Sequence, residues 1–240
     1  MFRISAIEHL PKRGIAAAMS RRAAPGSGLS IWGTDCMGLR TSRLGQSYYR
    51  IISACVLPMA RRAGFTPNGI TVAGLAVACL VPPAFVLDPL WGLAAMAVAG
   101  LADSLDGLVS RELGRATRFG ALLDSTTDRV ADVLFLLGFW LLFLDDPRFT
   151  LATGLFFAAM TATLLISYVK ARIEGLGGSC PSALMSREAR AVFLMVWALA
   201  AGLAGQGGPA VLWGGLLLYL CLCLLTVGHR LLRMGRELGD

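Results

Sequence analysis

The chain has 240 residues, of which 56% are hydrophobic and 15% are charged, and its formal net charge is +7. Soluble domains carry about 25% charged residues, so this composition excludes an ordinary soluble domain and indicates an α-helical membrane protein. A basic chain is also typical of nucleic-acid-binding proteins. Here, however, the basic residues flank apolar segments and no nucleic-acid-binding motif is present, so we expect no nucleic-acid partner.

Two regions precede the strongly apolar part of the chain. Residues 1–40 are basic and show no sustained periodicity, and we expect them to form a mobile tail. Residues 41–66 combine an apolar stripe, which includes Tyr48 and Ile52, with several arginines. This pattern is typical of a helix that lies in the membrane interface. We therefore predict an amphipathic juxtamembrane helix before the first membrane span.

Six apolar segments follow, and a helix needs about 20 mostly apolar residues to cross a bilayer. They predict a six-helix transmembrane catalytic domain over residues 67–236, followed by a short C-terminal tail at 237–240. The predicted fold class is therefore an all-α polytopic membrane protein. The predicted spans are 70–87, 90–110, 119–144, 151–170, 191–203 with a short extension, and 210–227.

The basic residues are concentrated on one side of the predicted spans. The loops after the first, third and fifth spans contain one basic residue, Arg148, whereas the opposite loops and both termini contain many. Lys and Arg accumulate on the cytoplasmic side of membrane proteins. We therefore expect a multi-pass protein of the inner (cytoplasmic) cell membrane, with both termini and the active site on the cytoplasmic side.

Four carboxylates lie at the ends of the second and third predicted spans. Asp103 and Asp106 are three residues apart, and Asp124 and Asp128 are four residues apart, so each pair shares one helix face. The link at 112–118 is short, which makes the two helices antiparallel neighbours and brings both pairs to one membrane depth. A carboxylate at the centre of a membrane helix costs about 2.5–3.5 kcal/mol and normally marks function. Because Mg²⁺ prefers oxygen ligands and often bridges to phosphates, the pattern predicts a metal site.

Three other features are compatible with either a structural or a functional role. Asp132 lies one turn beyond the acidic pair, where it could support the metal ligands from behind or pair with Arg129, and we favour a structural role. Thr66 and Pro67 form a plausible helix start, whose free N–H groups attract phosphate. A set of cations near the cytoplasmic ends of the spans could anchor the topology or bind an anion. These cations are Lys170, Arg172, Arg187 and Arg190.

The acidic segment resembles the signature of the CDP-alcohol phosphotransferase family. Its pattern is Asp103-x₂-Asp106-Gly107-x₂-Ser110-Arg111-x₈-Gly120-x₃-Asp124-x₃-Asp128, with Ser110 in place of the family's usual Ala. The segments Arg111-Glu112 and Lys170-Ala171-Arg172, with the Arg187/Arg190 pair, resemble the bacterial phosphatidylinositol-phosphate synthases of that family. The resemblance implies an amphipathic helix followed by six spans, usually in a homodimer.

The resemblance also implies a reaction, in which the phosphatidyl group of CDP-diacylglycerol moves to a hydroxyl of inositol 1-phosphate or another polyol phosphate, and CMP is released. Glycerol 3-phosphate is the alternative acceptor. Two Mg²⁺ ions, or Mn²⁺, would be held by Asp103, Asp106, Asp124 and Asp128, and Asp128 would also accept the proton. The implied CDP-diacylglycerol contacts are Asn68, Gly69, Ile70, Thr71, Gly107, Ser110, Arg111, Thr117 and Gly120, and the implied contacts to the acceptor phosphate are Lys170, Arg172, Arg187 and Arg190.

Two other classes of membrane protein also place acids within their spans. A cation-coupled transporter would spread them along a pathway and break helices near the midplane, whereas here they cluster at one depth beside glycines and arginines. An isoprenoid-diphosphate transferase also uses aspartates and Mg²⁺, but it does not explain the spacing from Gly107 through Arg111 to Gly120.

Overall fold

The computed structural model describes residues 66–112, 114, 116–176, 184–204 and 208–238, and the regular structure within these ranges is helical throughout. The tail predicted at 1–40 lies outside the described residues, and so does the predicted amphipathic helix at 41–66 apart from Thr66. The described helices are α1 (Pro67–Cys79), α2 (Val81–Leu87), α3 (Pro89–Glu112), α4 (Arg118–Leu141), α5 (Phe149–Gly175), α6 (Arg187–Leu203) and α7 (Gly208–Leu238).

Helices α1 and α4 begin with the same local structure. The Thr66 hydroxyl accepts a hydrogen bond from the Gly69 N–H at 3.2 Å, and the Thr117 hydroxyl accepts one from the Gly120 N–H at 2.9 Å. Each threonine thus satisfies an N–H group that has no partner inside its helix. Pro67, at the first position of α1, has no N–H to satisfy. The predicted helix start at Thr66 is confirmed.

Helices α1 and α2 form one rod, Pro67–Leu87, which is interrupted at Leu80. Pro82 and Pro83 cannot donate backbone hydrogen bonds to the preceding turn, so the α-helical ladder breaks there and restarts. The chain then turns at Asp88. Its carboxylate accepts a hydrogen bond from the Leu90 N–H at 2.7 Å, at the start of α3.

The packing of α1 and α2 determines where α3 and α4 lie. Both α1 and α2 pack against both α3 and α4, whereas α3 and α4 contact each other over a short stretch only. Helix α6 packs against α3, and α7 packs against α5 and α6. The expectation that α3 and α4 are neighbours is confirmed, but α1 is their main common partner. Gly74 allows a close approach there, because a Cβ at this position would lie 3.0 Å from the Ala102 Cβ.

An aromatic cluster fills the core at the far end from the aspartates. Phe139 stacks on Trp197 with ring centroids 4.0 Å apart and also contacts Phe85. Glycines make room for these rings: a Cβ on Gly138 would lie 2.5 Å from the Phe85 ring, and one on Gly215 would lie 2.1 Å from Trp197 Nε1. Both distances are too short for real side-chain contacts, so this core depends on glycine.

Four helical segments among the described residues are long and apolar enough to cross a membrane. Large apolar side chains such as Leu203 are exposed on the surface, which is costly in water and unproblematic in lipid. Helix α4 is less apolar because it carries three aspartates, and α6 is short, with 17 residues. The helical character and the apolar spans are confirmed, whereas six crossings remain a prediction. The four segments are Pro67–Leu87, Pro89–Arg111, Phe149–Gly175 and Gly208–Gly235.

Candidate active site

Three carboxylates from two helices meet where α3 ends and α4 begins. Carboxylate oxygens of Asp103, Asp106 and Asp124 all lie within 4.8 Å of one another. Asp106 is only 4% exposed. Negative charges this close repel strongly in a partly buried site, so the arrangement favours a cation among them. Oxygen ligands at this spacing fit a hard divalent cation, and the metal site predicted for the four aspartates remains a prediction.

Thr71 of α1 holds one of these carboxylates. Its hydroxyl donates a hydrogen bond to Asp106 Oδ2 at 2.5 Å, and both side chains are buried. A hydrogen bond to an ionised group is shorter and stronger than a neutral one. The resemblance assigned Thr71 to CDP-diacylglycerol, whereas in this structure its hydroxyl orients a predicted metal ligand.

Asp128 is linked to the cluster through Arg187, the first residue of α6. Arg187 Nη2 lies 2.6 Å from Asp103 Oδ1 and 2.5 Å from Asp128 Oδ1. One guanidinium nitrogen therefore joins α3, α4 and α6. A divalent cation held by Asp103 and Asp128 would compete with Arg187 for these oxygens. The Arg187 side chain is 38% exposed, so it can also reach a ligand from outside the bundle.

A second ion pair joins α4 and α6 one helical turn further from the acidic cluster. Asp132 Oδ2 of α4 lies 2.7 Å from Arg190 Nη2 of α6. The side chains are 9% and 2% exposed, respectively. Arg129, the partner considered from the sequence, instead lies 4.0 Å from Asp128 Oδ2. The contact predicted between Arg190 and the acceptor phosphate remains a prediction, and in this structure its guanidinium faces Asp132.

The predicted nucleotide contacts surround the acidic cluster on the side where α1 and α4 begin. A Cβ built on Gly120 would lie 3.0 Å from Asn68 Oδ1, so the starts of α1 and α4 are adjacent. Helix N-termini carry a partial positive charge and free N–H groups, which favour phosphate. On α3, Gly107 lies beside the Arg111 guanidinium, since a Cβ at this position would be in ordinary contact with Arg111 Nη1 at 3.5 Å. Of the remaining residues, Gly69 and Thr117 are exposed and Ile70 and Ser110 are partly buried.

Within the described ranges, the two predicted acceptor cations of α5 form no ion pair with the clustered aspartates. Lys170 Nζ is 3.7 Å from Glu174 Oε1 of its own helix, and Arg172 is exposed. Among the described residues, the ion pairs of the acidic cluster are made by Arg187 and Arg129 rather than by these two side chains. Their predicted role remains a prediction.

One buried cation was assigned only a topological role from the sequence. Arg230 of α7 is 7% exposed and donates from Nη1 to the Ile166 carbonyl at 2.6 Å. Its Nε has no hydrogen-bond partner within the described part of the chain. Basic residues at the cytoplasmic ends of spans are expected from the positive-inside pattern. The sequence therefore gives no separate signal that the side chain of Arg230 is buried.

A helical membrane protein with clustered aspartates between two spans matches a known class of enzyme. A model of the CDP-alcohol phosphatidyltransferase family matches residues 65–227. The chain belongs to this family, which confirms the resemblance seen in the sequence and argues against the transporter alternative.

Two similar proteins of this family have names that specify a reaction. The phosphatidylinositol phosphate synthase of Mycolicibacterium smegmatis is 38% identical over 157 residues, which cover 62% of this chain and 68% of the relative. The archaetidylinositol phosphate synthase of Methanothermobacter thermautotrophicus is 36% identical over 152 residues, covering 62% of this chain and 74% of the relative.

Solved structures of one enzyme share the fold. The crystal structure of Mycobacterium tuberculosis phosphatidylinositol phosphate synthase with manganese and citrate has a TM-score of 0.64 and 29% identity, covering 72% of this chain and 86% of that one. The same enzyme with CDP-DAG bound has a TM-score of 0.61 and 26% identity, covering 79% and 92% of the two chains.

Proposed function

We propose that this protein transfers the phosphatidyl group of CDP-diacylglycerol to a hydroxyl of a phosphorylated polyol, with inositol 1-phosphate as the acceptor, and releases CMP. The observation that carries the proposal is the acidic cluster with Arg187 at its edge. This arrangement offers a cation site for a diphosphate and, directly beside it, a guanidinium for a second phosphate. The family membership and the names of the relatives support the same reaction.

The aspartates would hold the metal ions. Asp103, Asp106 and Asp124 are close enough to share one Mg²⁺, and Asp128 together with Asp103 would complete a second site. Mn²⁺ is an alternative, and manganese is present in a structure of the tuberculosis relative. Bound divalent ions would neutralise the diphosphate and stabilise the leaving phosphate in an in-line displacement.

The adjacent starts of α1 and α4 would bind the donor. Their N–H groups would contact the diphosphate, Arg111 would pair with it, and Gly107 would leave room for the nucleotide. Because the neighbouring helices present apolar side chains to lipid, the acyl chains would stay in the membrane while CMP leaves into water. The proposed donor contacts are Asn68, Gly69, Ile70, Thr71, Gly107, Ser110, Arg111, Thr117 and Gly120.

The chemical step is a substitution at phosphorus. The acceptor hydroxyl oxygen forms a bond to the phosphorus that carries diacylglycerol. The bond from that phosphorus to the bridging oxygen breaks, and this oxygen leaves with CMP. The hydroxyl proton goes to Asp128, which is 8% exposed and lies against Arg187. General bases must lie within hydrogen-bond reach of the proton they accept, and a hydroxyl bound beside the cluster would lie within that reach of Asp128.

A phosphorylated acceptor explains the cations near the cluster. Arg187 can form a two-pronged contact with a phosphate, and its side chain is partly exposed beside Asp128. Lys170 and Arg172 at the end of α5 would complete the pocket when substrate is bound. An acceptor without a phosphate, such as serine, would not need this charge.

The proposed topology follows from the charge distribution. We propose six crossings with both termini in the cytoplasm, a location in the inner cell membrane, an active site open to the cytoplasm, and a homodimeric assembly. The support is the placement of Arg187 and Arg111 at the same end of the helices as the aspartates, opposite Arg148.

An acceptor panel tests the proposed function. Purified protein is incubated with CDP-diacylglycerol and Mg²⁺ or Mn²⁺, and CMP is measured with inositol 1-phosphate, glycerol 3-phosphate, free inositol or serine. We expect the largest kcat/KM with inositol 1-phosphate and only background CMP without metal. A larger value with glycerol 3-phosphate would reassign the acceptor. No CMP with any acceptor would overturn the proposal.

A further inference from the structure

Two ion pairs connect α4 and α6 at consecutive helical turns. The outer pair joins Asp128 to Arg187 at 2.5 Å, and the inner pair joins Asp132 to Arg190 at 2.7 Å. We propose that Asp132 is a positioning residue for acceptor binding: by holding Arg190 it fixes the first turn of α6, and thereby the place of Arg187. This inference rests on the proposed function and assigns a role to an acid outside the family signature.

The two pairs differ in their access to a ligand. Arg190 is 1% exposed and Asp132 is 7% exposed, so the inner pair is enclosed by the bundle. The Arg187 side chain is 38% exposed. An acceptor entering from the surface can therefore meet the outer arginine directly, whereas the inner pair acts on it only through the helix that both arginines share.

The inner pair connects more than two helices. Arg190 Nη1 donates to the Met185 carbonyl at 3.2 Å, and the Met185 N–H donates to the Thr226 hydroxyl of α7 at 3.3 Å. The Asp132 carboxylate therefore anchors a chain of contacts that reaches from α4 through the start of α6 to α7. Because loss of one partner from a buried ion pair leaves an uncompensated charge, removing this carboxylate would disturb the position of the Arg190 guanidinium and of its other contacts.

The N-terminal cap of α6 is a weak one. Arg187 is its first residue, and the Ser186 cap that precedes it accepts the Ala189 N–H over a long 3.4 Å. Arg187 and Arg190 are three residues apart, which is about 4.5 Å along a helix. A shift of α6 at Arg190 is therefore transmitted to Arg187 almost undiminished. A misplacement of about 1 Å in an active site can reduce the rate about 100-fold.

The first test replaces Asp132 by Asn, which keeps the shape and removes the charge. We expect the KM for inositol 1-phosphate to rise about tenfold while the KM for CDP-diacylglycerol changes less than twofold. A matched control is Thr153→Val, which removes the partly buried hydrogen bond that the Trp140 indole donates at the opposite end of α4 and leaves α6 unchanged. A purely structural lesion would act alike in both variants, so an equal rise in acceptor KM for the control at similar melting temperature would overturn the proposal.

A double-mutant cycle with Arg187→Gln tests whether Asp132→Asn raises the acceptor KM through Arg187. If Asp132 acts through Arg187, then Asp132→Asn adds less than twofold to the acceptor KM once Arg187 is Gln. An undiminished tenfold effect in that background would mean that the inner pair contacts the acceptor itself, and the positioning role would be wrong.

Two further outcomes are decisive. If Asp132→Asn does not yield folded protein, Asp132→Glu retains the charge and moves the carboxylate by one methylene group. We then expect an acceptor KM at least threefold above wild type, and an unchanged value would overturn the inference. An active wild-type enzyme with an unaffected Asp132→Asn variant contradicts the positioning role alone, whereas an inactive wild type contradicts the proposed function as well.

Discussion

The two ends of the helical bundle both contain aspartates, but these acids are partnered differently. At the end opposite the acidic cluster, Asp146 accepts the Trp213 indole N–H at 2.7 Å, and the Arg148 guanidinium lies 4.3 Å from the centroid of the same ring. At the acidic cluster, Asp106 and Asp124 have no ion-pair partner within 4.0 Å among the described residues.

This difference separates an acid that supports the fold from acids that repel one another at short range. The Asp146 carboxylate accepts hydrogen bonds from the Arg148 backbone N–H and the Trp213 indole N–H, and it thereby links the loop after α4 to α7. The carboxylate oxygens of Asp103, Asp106 and Asp124 lie within 4.8 Å of one another, so their mutual repulsion opposes folding. An excess of partly buried negative charge is therefore what distinguishes this end of the bundle from the end that contains Asp146.

Asp124→Asn should have the largest effect. Loss of one carboxylate from the cluster removes a metal ligand, and we expect CMP release to fall at least about 1,000-fold, comparable to the loss of a major electrostatic group in an active site. Initial rates of CMP release, with purified protein matched by its elution profile, measure the effect. The matched control is Asp146→Asn at the other end, which should retain the rate. Turnover within tenfold of wild type would remove Asp124 from the metal site.

The cluster could be predicted from the sequence because helical spacing is local. Asp103 with Asp106, and Asp124 with Asp128, must share helix faces whatever the rest of the chain does. The contacts of Thr71 with Asp106 and of Arg190 with Asp132 could not be predicted, because they depend on how distant helices pack.

The break in the first span illustrates a signal that was present in the sequence. The span was predicted as a continuous segment at 70–87, yet Pro82 and Pro83 interrupt its hydrogen-bond ladder. Because proline lacks a backbone N–H, a break in the helix at this position can be predicted from the sequence alone. The position of α1 between α3 and α4 carries no such local signal, because it is decided by which apolar faces fit together.

Thr71→Val should have the next largest effect. The variant keeps the volume of the side chain but removes the hydrogen bond to Asp106, and a hydrogen bond to a charged group contributes about 1.5–3 kcal/mol. We expect the Mg²⁺ concentration for half-maximal activity to rise about tenfold, with little change at saturating metal. Thr71→Ser keeps the hydroxyl and should restore the wild-type value. An unchanged metal requirement in the valine variant would show that Thr71 does not orient Asp106.

Gly215→Ala should lower stability through the aromatic core rather than through the site. Its new Cβ would lie 2.1 Å from Trp197 Nε1, and overpacking of this kind costs about 1–3 kcal/mol. Thermal unfolding in detergent should show a lower melting temperature, with near-normal KM values for the folded enzyme. Gly214→Ala is the matched control, because nothing lies within 4 Å of its Cβ. Equal melting temperatures for the two variants would contradict the described packing.

The smallest effect is expected at Asp146. The Trp213 hydrogen bond, with the Arg148 backbone N–H and charge, lowers the pKa of this carboxyl below its ordinary 3.8. A lowered pKa in the folded state means that the stabilisation is present above pH 3.8 and is lost as the pH falls through the folded-state pKa. Wild type should therefore melt slightly above Asp146→Asn at pH 7, and the difference should shrink as the pH falls below 3.8. A gap that widens in acid would reverse the sign of this linkage.

Binding of Mn²⁺, followed by electron paramagnetic resonance on the purified protein without substrate, tests the acidic cluster most directly. We predict that wild type binds Mn²⁺ and that Asp106→Asn weakens this binding at least tenfold, while Asp146→Asn binds as wild type does. Equal Mn²⁺ affinity in wild type and Asp106→Asn would contradict the view that these converging carboxylates form the metal site on which the proposed transfer depends.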